Sequence, residues 1–189
     1  MSQRDSGYAR KERDLYETPR WVTEALRPHL PDLGGIWEPA CGSGKMLSVL
    51  EIWGSYVLGS DIHTGADFLF CPSLPEGSKW DAIITNPPYS LAQEFVERAK
   101  LWRASERSLI VMLLRVNFLG SQKRGAWLRA NTPSVYVSPR RPSFGTNKDG
   151  KRGTDATEYA WFIWGPDKPT IGILNTDESE SLSFWREGP

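Results

Sequence analysis

Apolar positions fall into short runs, separated by longer stretches in which they recur about every three to four residues. The short runs predict strands near residues 36–38, 56–60, 80–85, 109–114, 135–137, 158–164 and 170–174. The longer stretches predict helices near residues 19–26, 45–53, 91–103 and 121–130. Because strands and helices alternate and closely spaced strands follow, we expect an α/β fold with a Rossmann-like doubly wound sheet, mostly parallel with an antiparallel edge.

Local signals add detail to this outline. The run at 109–114 is continuously apolar, which predicts a fully buried central strand. Thr18 is predicted to cap the first helix, with Pro19 at its first position. Gly34-Gly35 predicts a turn before the first strand. Residues 1–13 are polar and expected to be flexible, and residues 14–189 are expected to form a single domain.

The most informative stretch is Asn86-Pro87-Pro88-Tyr89, which directly follows a predicted buried strand. Two consecutive prolines remove two N–H donors and fix φ at both positions, so we expect a stiff turn. Loops at the carboxyl ends of strands bind ligands in open α/β sheets. This turn suits an amine on a flat ring, with Asn86 Oδ1 and the Pro87 carbonyl accepting its hydrogen bonds and Tyr89 stacking on the ring. A proline-rich turn with an exposed tyrosine is the simpler alternative.

A second candidate site follows the first predicted strand, at Pro39-Ala40-Cys41-Gly42-Ser43-Gly44. Glycine lets a ligand approach the backbone, and N–H groups at the start of the next helix point outward. The turn is not GxGxxG and lacks a Walker lysine followed by Ser or Thr, which disfavours a dinucleotide or ATP site. Asp61, after the second predicted strand, is placed to accept hydrogen bonds from ribose hydroxyls. Asp67-Phe68 suits an adenine ring, although Asp67 could equally cap a turn.

Composition argues against several classes of protein. No apolar stretch reaches about 18 residues, so no transmembrane helix is expected. The basic N-terminus is not followed by an apolar segment, so a signal peptide is not expected. We therefore expect a cytoplasmic location. The two cysteines, Cys41 and Cys71, and the two histidines lack ligand spacing, so neither a disulfide framework nor a metal site is predicted.

The net charge is zero, but the charges are unevenly distributed. Residues 115–152 contain nine basic side chains and one acidic side chain, a balance of +8. Residues 153–189 contain two basic and seven acidic side chains, a balance of −5. Such asymmetry indicates a surface that faces a polyanion, unless the charges balance in space.

These motifs together resemble the S-adenosylmethionine-dependent methyltransferases of the class I fold. More narrowly, the chain resembles the amino-methylating DNA methyltransferases and, among them, small phage or prophage N6-adenine enzymes. Four motifs carry the resemblance in the family's order, with a matching Arg-Pro-Ser-Phe at residues 141–144. The four are Tyr16-Glu17-Thr18-Pro19, Glu38-Pro39-Ala40-Cys41-Gly42-Ser43-Gly44, the pair Asp61 and Asp67, and Asn86-Pro87-Pro88-Tyr89.

The resemblance implies S-adenosyl-L-methionine as cofactor, DNA as partner and a bacterial or phage-infected cell as location. The implied catalytic residues are Asn86, Pro87, Pro88 and Tyr89, acting on the N6 amine of an adenine flipped out of the duplex. Phe144 would be a second aromatic wall for that base, or else a loop anchor in the core. The implied cofactor-binding residues are Tyr16, Thr18, Pro19, Glu38, Ala40, Cys41, Gly42, Gly44, Asp61, Ile62, Asp67 and Phe68.

Nucleic-acid contacts are expected from the basic stretch, at phosphates rather than at base edges. The candidates are Arg115, Lys123, Arg124, Arg140 and Arg141. The chain leaves no room for a long target-recognition domain, so we expect relaxed or short sequence specificity, or recognition shared with a second copy of the chain. The alternatives are a protein N5-glutamine or RNA guanine methyltransferase, a non-catalytic nucleic-acid-binding module, and an NAD-dependent enzyme.

Overall fold

The computed structural model describes residues 17–70, 80–144 and 157–176. Predictions that concern Tyr16, Cys71 and residues 1–13 lie outside the described residues. The strands within them are β1 (Leu33–Glu38), β2 (Gly54–Gly59), β3 (Ala82–Thr85), β4 (Leu109–Arg115), β5 (Ser134–Val137), β6 (Tyr159–Trp164) and β7 (Ile171–Ile173). These strands form one seven-stranded sheet in the order β2-β1-β3-β4-β6-β5-β7.

Parallel pairing joins β2, β1, β3 and β4, and it also joins β5 to β7. Strand β6 runs antiparallel to both of its neighbours, β4 and β5. The predicted fold class, a doubly wound and mostly parallel sheet, is therefore confirmed, and the antiparallel strand lies in the half of the sheet beyond β4. The carboxyl ends of β1, β2, β3 and β4 share one edge, where loops can converge on a ligand.

Helices cover both faces of the sheet, because its central strands are apolar on both sides. The side chains of β4 alternate between two clusters: Leu109, Val111 and Leu113 enter one, and Ile110, Met112 and Leu114 enter the other. The α-helices of the described residues are α1 (Arg20–Glu24), α2 (Leu47–Leu50), α3 (Ala92–Trp102) and α4 (Gly125–Ala130). The first cluster packs under α1 and α2, and the second under α3 and α4.

The predicted turn at Gly34-Gly35 is wrong, since both glycines lie within β1. The Asp81 carboxylate accepts hydrogen bonds from Gly34 N at 2.8 Å and from Gly35 N at 2.9 Å. A Cβ at Gly34 would stand 2.9 Å from Asp81 Oδ2, so the glycine allows the carboxylate to approach the strand. This contact joins the amino ends of β1 and β3.

The predicted helix cap at Thr18 is also wrong. Pro19 is the residue that precedes α1, and no side chain caps that helix. The Thr18 hydroxyl instead accepts a hydrogen bond from Asn86 Nδ2 at 3.1 Å. No helix within the described residues is long and apolar enough to cross a membrane.

Candidate active site

An open cleft of about 990 Å³ lies at the carboxyl ends of β1, β2 and β3. Its walls come from the glycine turn after β1, from the segment after β2 and from the proline turn after β3. Parallel strands end at one edge, which is why motifs distant in sequence meet here. The cleft is lined by Glu17, Thr18, Glu38, Pro39, Ala40, Cys41, Gly42, Ser43, Lys45, Met46, Asp61, Ile62, His63, Asp67, Phe68, Leu69, Phe70, Asn86, Pro88, Leu91 and Phe95.

Most of the side chains predicted to bind a cofactor line this cleft. Pro19 and Gly44 do not line it, although Gly44 belongs to the same turn as Gly42. Of the predicted catalytic turn, Asn86 and Pro88 line the cleft, whereas Tyr89 lines a second cavity on the other side of the loop. The predicted cofactor residues in the cleft are Thr18, Glu38, Ala40, Cys41, Gly42, Asp61, Ile62, Asp67 and Phe68.

Glu38 is a buried acid in the wall of the cleft. It ends β1 and is only 2% exposed. Its Oε2 atom is buried and has no hydrogen-bond partner among the described residues. Burial, and secondarily the charge of Asp61, raises the pKa of Glu38 to about 8. A cationic hydrogen-bond donor placed in the cleft would satisfy this oxygen and favour its ionised form.

The glycine turn is held open by Asp61. Gly42 and Gly44 have φ values of 51° and 85°, which L side chains rarely adopt. The Asp61 carboxylate accepts hydrogen bonds from Gly42 N and from His63 N, both at 2.8 Å. One carboxylate therefore fixes the turn after β1 to the segment after β2, while still facing the cleft.

The two predictions for Asp67 are compatible. Its Oδ1 atom accepts a hydrogen bond from Leu69 N at 3.0 Å, so it caps a turn. The same residue lines the cleft, where the carboxylate can accept further hydrogen bonds. Phe68 is 3% exposed and packs on Trp37 and Phe95, with ring centroids 5.0 Å apart in both pairs. The core thus fixes Phe68 at the cleft wall.

Asn86 stands where the cleft meets the proline turn. Its Nδ2 atom donates to Thr18 Oγ1, a contact between residues 68 positions apart that fixes the orientation of the amide. Thr18 is 4% exposed and Pro87 is buried, so both supports are fixed by packing. The Asn86 amide is therefore held in one orientation at the edge of the cleft.

Tyr89 is more enclosed than a simple stacking platform would be. The Arg115 guanidinium lies over its ring, 4.9 Å from the centroid. The Tyr159 ring lies 5.7 Å away at an interplanar angle of 47°. Burial, and then the neighbouring Tyr159 hydroxyl, raises the pKa of Tyr89 well above its ordinary value, so the phenol stays neutral. Part of the predicted stacking surface is therefore already covered by Arg115.

Sequence reasoning missed a polar bridge across the cleft mouth. Glu17 accepts a hydrogen bond from Ser43 Oγ at 2.6 Å and pairs with Lys45 Nζ at 2.5 Å. It thereby ties the segment before α1 to the glycine turn. Glu17 belongs to the Tyr16-Glu17-Thr18-Pro19 motif. The opposite charges of Glu17 and Lys45, each in or next to a cofactor motif, were the sequence signal for this ion pair. Other lining residues, such as Met46 and Phe95, carry no sequence signal besides helical periodicity.

The remaining basic and aromatic candidates are spread over several places. Arg141 pairs with Glu158 at 2.6 Å, and the Arg140 guanidinium lies 4.7 Å from the Trp21 ring centroid. Lys123 is exposed. Phe144 packs edge-on against Tyr159, with centroids 4.9 Å apart, and lines neither of the two cavities. That packing agrees with the loop-anchor alternative for Phe144.

Cys41 faces the cleft as a neutral thiol. Burial, followed by the charges of Glu38 and Asp61, raises the pKa of the thiol. A raised pKa lowers the thiolate fraction and hence the nucleophilicity. Cys41 is therefore a wall of the cleft rather than a reactive group.

Solved structures resemble this chain over most of its length. A type I restriction-modification methyltransferase subunit from Streptococcus thermophilus superposes with a TM-score of 0.60 at 13% identity, over 91% of this chain and 52% of its own. A putative class I S-adenosylmethionine-dependent methyltransferase from Listeria monocytogenes gives 0.55 at 12% identity, over 94% and 72%. This chain has the class I methyltransferase fold.

A precorrin-6y C5,15-methyltransferase from Geobacter metallireducens shares this methyltransferase fold, with a TM-score of 0.50 at 16% identity, over 85% of this chain and 95% of its own. The chain spans about half the length of the Streptococcus subunit. No protein-family model and no curated protein sequence matches it. At such identities the likeness concerns the fold, and the chemistry has to be argued from the site.

Proposed function

We propose that this protein transfers a methyl group from S-adenosyl-L-methionine to the exocyclic N6 amine of adenine in DNA. The observation that carries the proposal is the convergence of two motifs on one cleft. Asn86, from the proline turn, lines the same cleft as Glu38, Asp61 and Asp67. An amine acceptor and a set of cofactor-type carboxylates thus share one space.

The residues of the cleft fit this cofactor. Buried Glu38 Oε2 lacks a partner among the described residues, which suits the cationic amino group of the methionine part. Asp61 suits ribose hydroxyls, and Asp67 suits the amine of the adenine part. Gly42 and Gly44, with positive φ, leave the backbone accessible beside them. Bound there, S-adenosyl-L-methionine supplies an electrophilic methyl group on a sulfonium.

The protein's share of the chemistry is to position a poor nucleophile. The lone pair of an exocyclic amine is delocalised into the ring. Hydrogen bonds from that amine to Asn86 Oδ1 and to the Pro87 carbonyl favour a pyramidal nitrogen with a localised lone pair. Thr18 fixes the Asn86 amide through its Nδ2 atom, so the acceptor is oriented before the base arrives. No covalent enzyme intermediate is needed.

DNA is favoured as substrate by the motif order and by the basic residues beyond β4. A base in a duplex must flip out to reach Asn86, which costs a few kcal/mol unless the strand is already single. Stacking on Tyr89 would return roughly 1–3 kcal/mol, and it requires that Arg115 share or leave the ring face. We further propose relaxed or short sequence specificity.

The test follows the label from methyl-labelled cofactor into separate DNA, RNA and protein fractions. The proposal expects label to enter DNA with the wild-type protein and to enter it far more slowly with Asn86→Ala. Label confined to RNA or protein would instead support an RNA guanine or N5-glutamine methyltransferase. No label in any fraction, together with retained DNA binding, would support a non-catalytic module.

A further inference from the structure

A second cavity of about 600 Å³ lies across the proline turn from the cleft. The loop at residues 86–92 separates the two, because Asn86 and Pro88 line the cleft while Tyr89 and Ser90 line the second cavity. The cavity therefore lies next to the proposed catalytic turn. It is lined by Tyr89, Ser90, Ala92, Leu114, Arg115, Asn117, Phe118 and Arg124.

Two guanidinium groups and no acidic side chain line this basic cavity among the described residues. Both are positioned by the fold. Arg124 donates from Nε and Nη2 to the Phe118 carbonyl at 3.3 and 3.1 Å, and its guanidinium lies 4.5 Å from the Phe118 ring centroid. Arg115 lies over the Tyr89 ring. Contacts with the protein therefore fix the position of both guanidinium groups.

Arg124 differs in its partners from three other arginines of this protein. Arg27, Arg103 and Arg141 each pair with a carboxylate. Arg124 makes no ion pair with any residue in the described part of the chain, and its bonds to the Phe118 carbonyl leave other N–H groups of the fork to donate. A guanidinium fork suits the oxygens of a phosphate group.

We propose that the basic cavity binds one phosphate of the DNA strand, adjacent to the nucleotide whose base approaches Asn86. This inference rests on the proposed function. Arg115 and Arg124 supply the charge, and exposed Ser90 and Asn117 supply neutral hydrogen-bond donors. Such a contact sets the register of the strand relative to the catalytic turn, and it carries no base identity.

The experiment measures DNA affinity against salt concentration for wild type, Arg124→Gln and a matched control, Arg107→Ala. Arg107 is exposed and precedes β4, so it lies at the opposite end of that strand from Arg115. Its replacement by alanine also removes one positive charge. The logarithm of the DNA association constant falls as the logarithm of the salt concentration rises. We expect Arg124→Gln to make this negative slope less steep by about 0.9 and Arg107→Ala to leave it unchanged. Arg124→Lys, which keeps the charge, should retain the slope. If Arg124→Gln does not fold, the wild-type protein alone decides in the experiment below: the absence of any phosphate beside the methylated adenine whose neutralisation weakens binding would overturn the inference.

The position of the phosphate is tested with an oligonucleotide that the wild-type protein methylates. Its phosphates are replaced one at a time by neutral methylphosphonates. We expect one position beside the methylated adenine at which replacement weakens DNA binding by wild type more than DNA binding by Arg124→Gln, which keeps only Arg115 at the phosphate. Equal losses for both proteins at every position, or an unchanged salt slope in Arg124→Gln, would overturn the inference while wild-type methylation upholds the proposed function. Failure of wild type to methylate DNA would overturn both.

Discussion

The cleft and the basic cavity lie on opposite sides of one loop and differ in their charged side chains: acids predominate in the cleft, whereas the basic cavity has only arginines among the described residues. The cleft is lined by the acids Glu17, Glu38, Asp61 and Asp67, and the basic cavity by Arg115 and Arg124. Asp61 and Asp67 are held by main-chain N–H groups, whereas the arginines are held against aromatic rings. This loop therefore separates a site suited to a cation from a site suited to a polyanion.

The largest effect is expected where the two sites meet. Asn86→Ala removes the side-chain acceptor for the target amine, and we expect the rate of methyl transfer to fall by about 10²- to 10³-fold. Cofactor and DNA affinity should both stay near wild type, because neither charged site is altered. Single-turnover kinetics with equilibrium binding of each ligand measure this. A loss of cofactor binding equal to the loss of rate would contradict the separation of the two roles.

The next effect concerns the acidic side. Glu38→Gln keeps the shape but cannot ionise, so we expect cofactor affinity to fall about tenfold to a hundredfold. The pKa of Glu38 is about 8, so at pH 6.5 cofactor binding to wild type should release about one proton as the carboxyl ionises. Calorimetry in buffers of different ionisation enthalpy measures the release. Asp32→Asn, an exposed acid outside the cleft, is the control and should release the same proton as wild type.

The raised pKa of Glu38 also affects the stability of the cofactor-free protein. Between the ordinary pKa of 4.5 and about 8, the unfolded chain has lost the Glu38 proton while the folded chain retains it. The Glu38 contribution to stability is therefore fully present below about pH 4.5 and falls as pH rises toward 8. Glu38→Gln should therefore lose less free energy of unfolding than wild type as the pH rises from about 4.5 to 8, which denaturant unfolding at a series of pH values measures. An identical decline in both proteins would contradict the burial of a protonated Glu38.

The contrast between local and distant contacts also explains what the sequence could predict. The strand at Leu109–Arg115 was recognisable because a continuous apolar run suffices for a strand buried on both faces. Gly34-Gly35 was misassigned because its partner, Asp81, is 47 positions away from Gly34. Propensity favours a turn at two glycines, and the tertiary contact overrides it.

The same limit applies within the site. Most of the side chains that the motifs predicted at a cofactor site line the cleft, since parallel strands end at one edge. The motifs could not predict that Thr18 would bond Asn86 instead of capping α1, or that Arg115 would cover Tyr89. Both contacts depend on how separate elements pack, which no local pattern encodes.

A smaller effect is expected from the support of Asn86. Thr18→Val keeps the volume and removes the hydroxyl that accepts from Asn86 Nδ2, so we expect kcat to fall about three- to tenfold. Thr18→Ser should restore most of the rate, because it restores the hydroxyl. Steady-state kinetics with both substrates separate kcat from KM. Equal activity in Thr18→Val and wild type would remove Thr18 from its positioning role.

The smallest effect is expected at the mouth of the cleft. Glu17 and Lys45 are 38% and 55% exposed, so their ion pair is worth little in water. Glu17→Gln should speed cofactor dissociation about two- to fivefold, without changing the rate at saturating cofactor. Stopped-flow dissociation measures this, and Glu24→Gln, an acid of α1 that does not line the cleft, is the control.

We propose that an exocyclic amine of a DNA base is held at Asn86, between the cleft that suits the methyl donor and the basic cavity that suits a phosphate. The decisive measurement is mass spectrometry of nucleosides from DNA incubated with the purified protein and labelled S-adenosyl-L-methionine. We expect the label on N6 of deoxyadenosine, formed far more slowly when Asn86→Ala replaces wild type. Label on a ring carbon of a base, or no labelled nucleoside in DNA, would rule the proposal out.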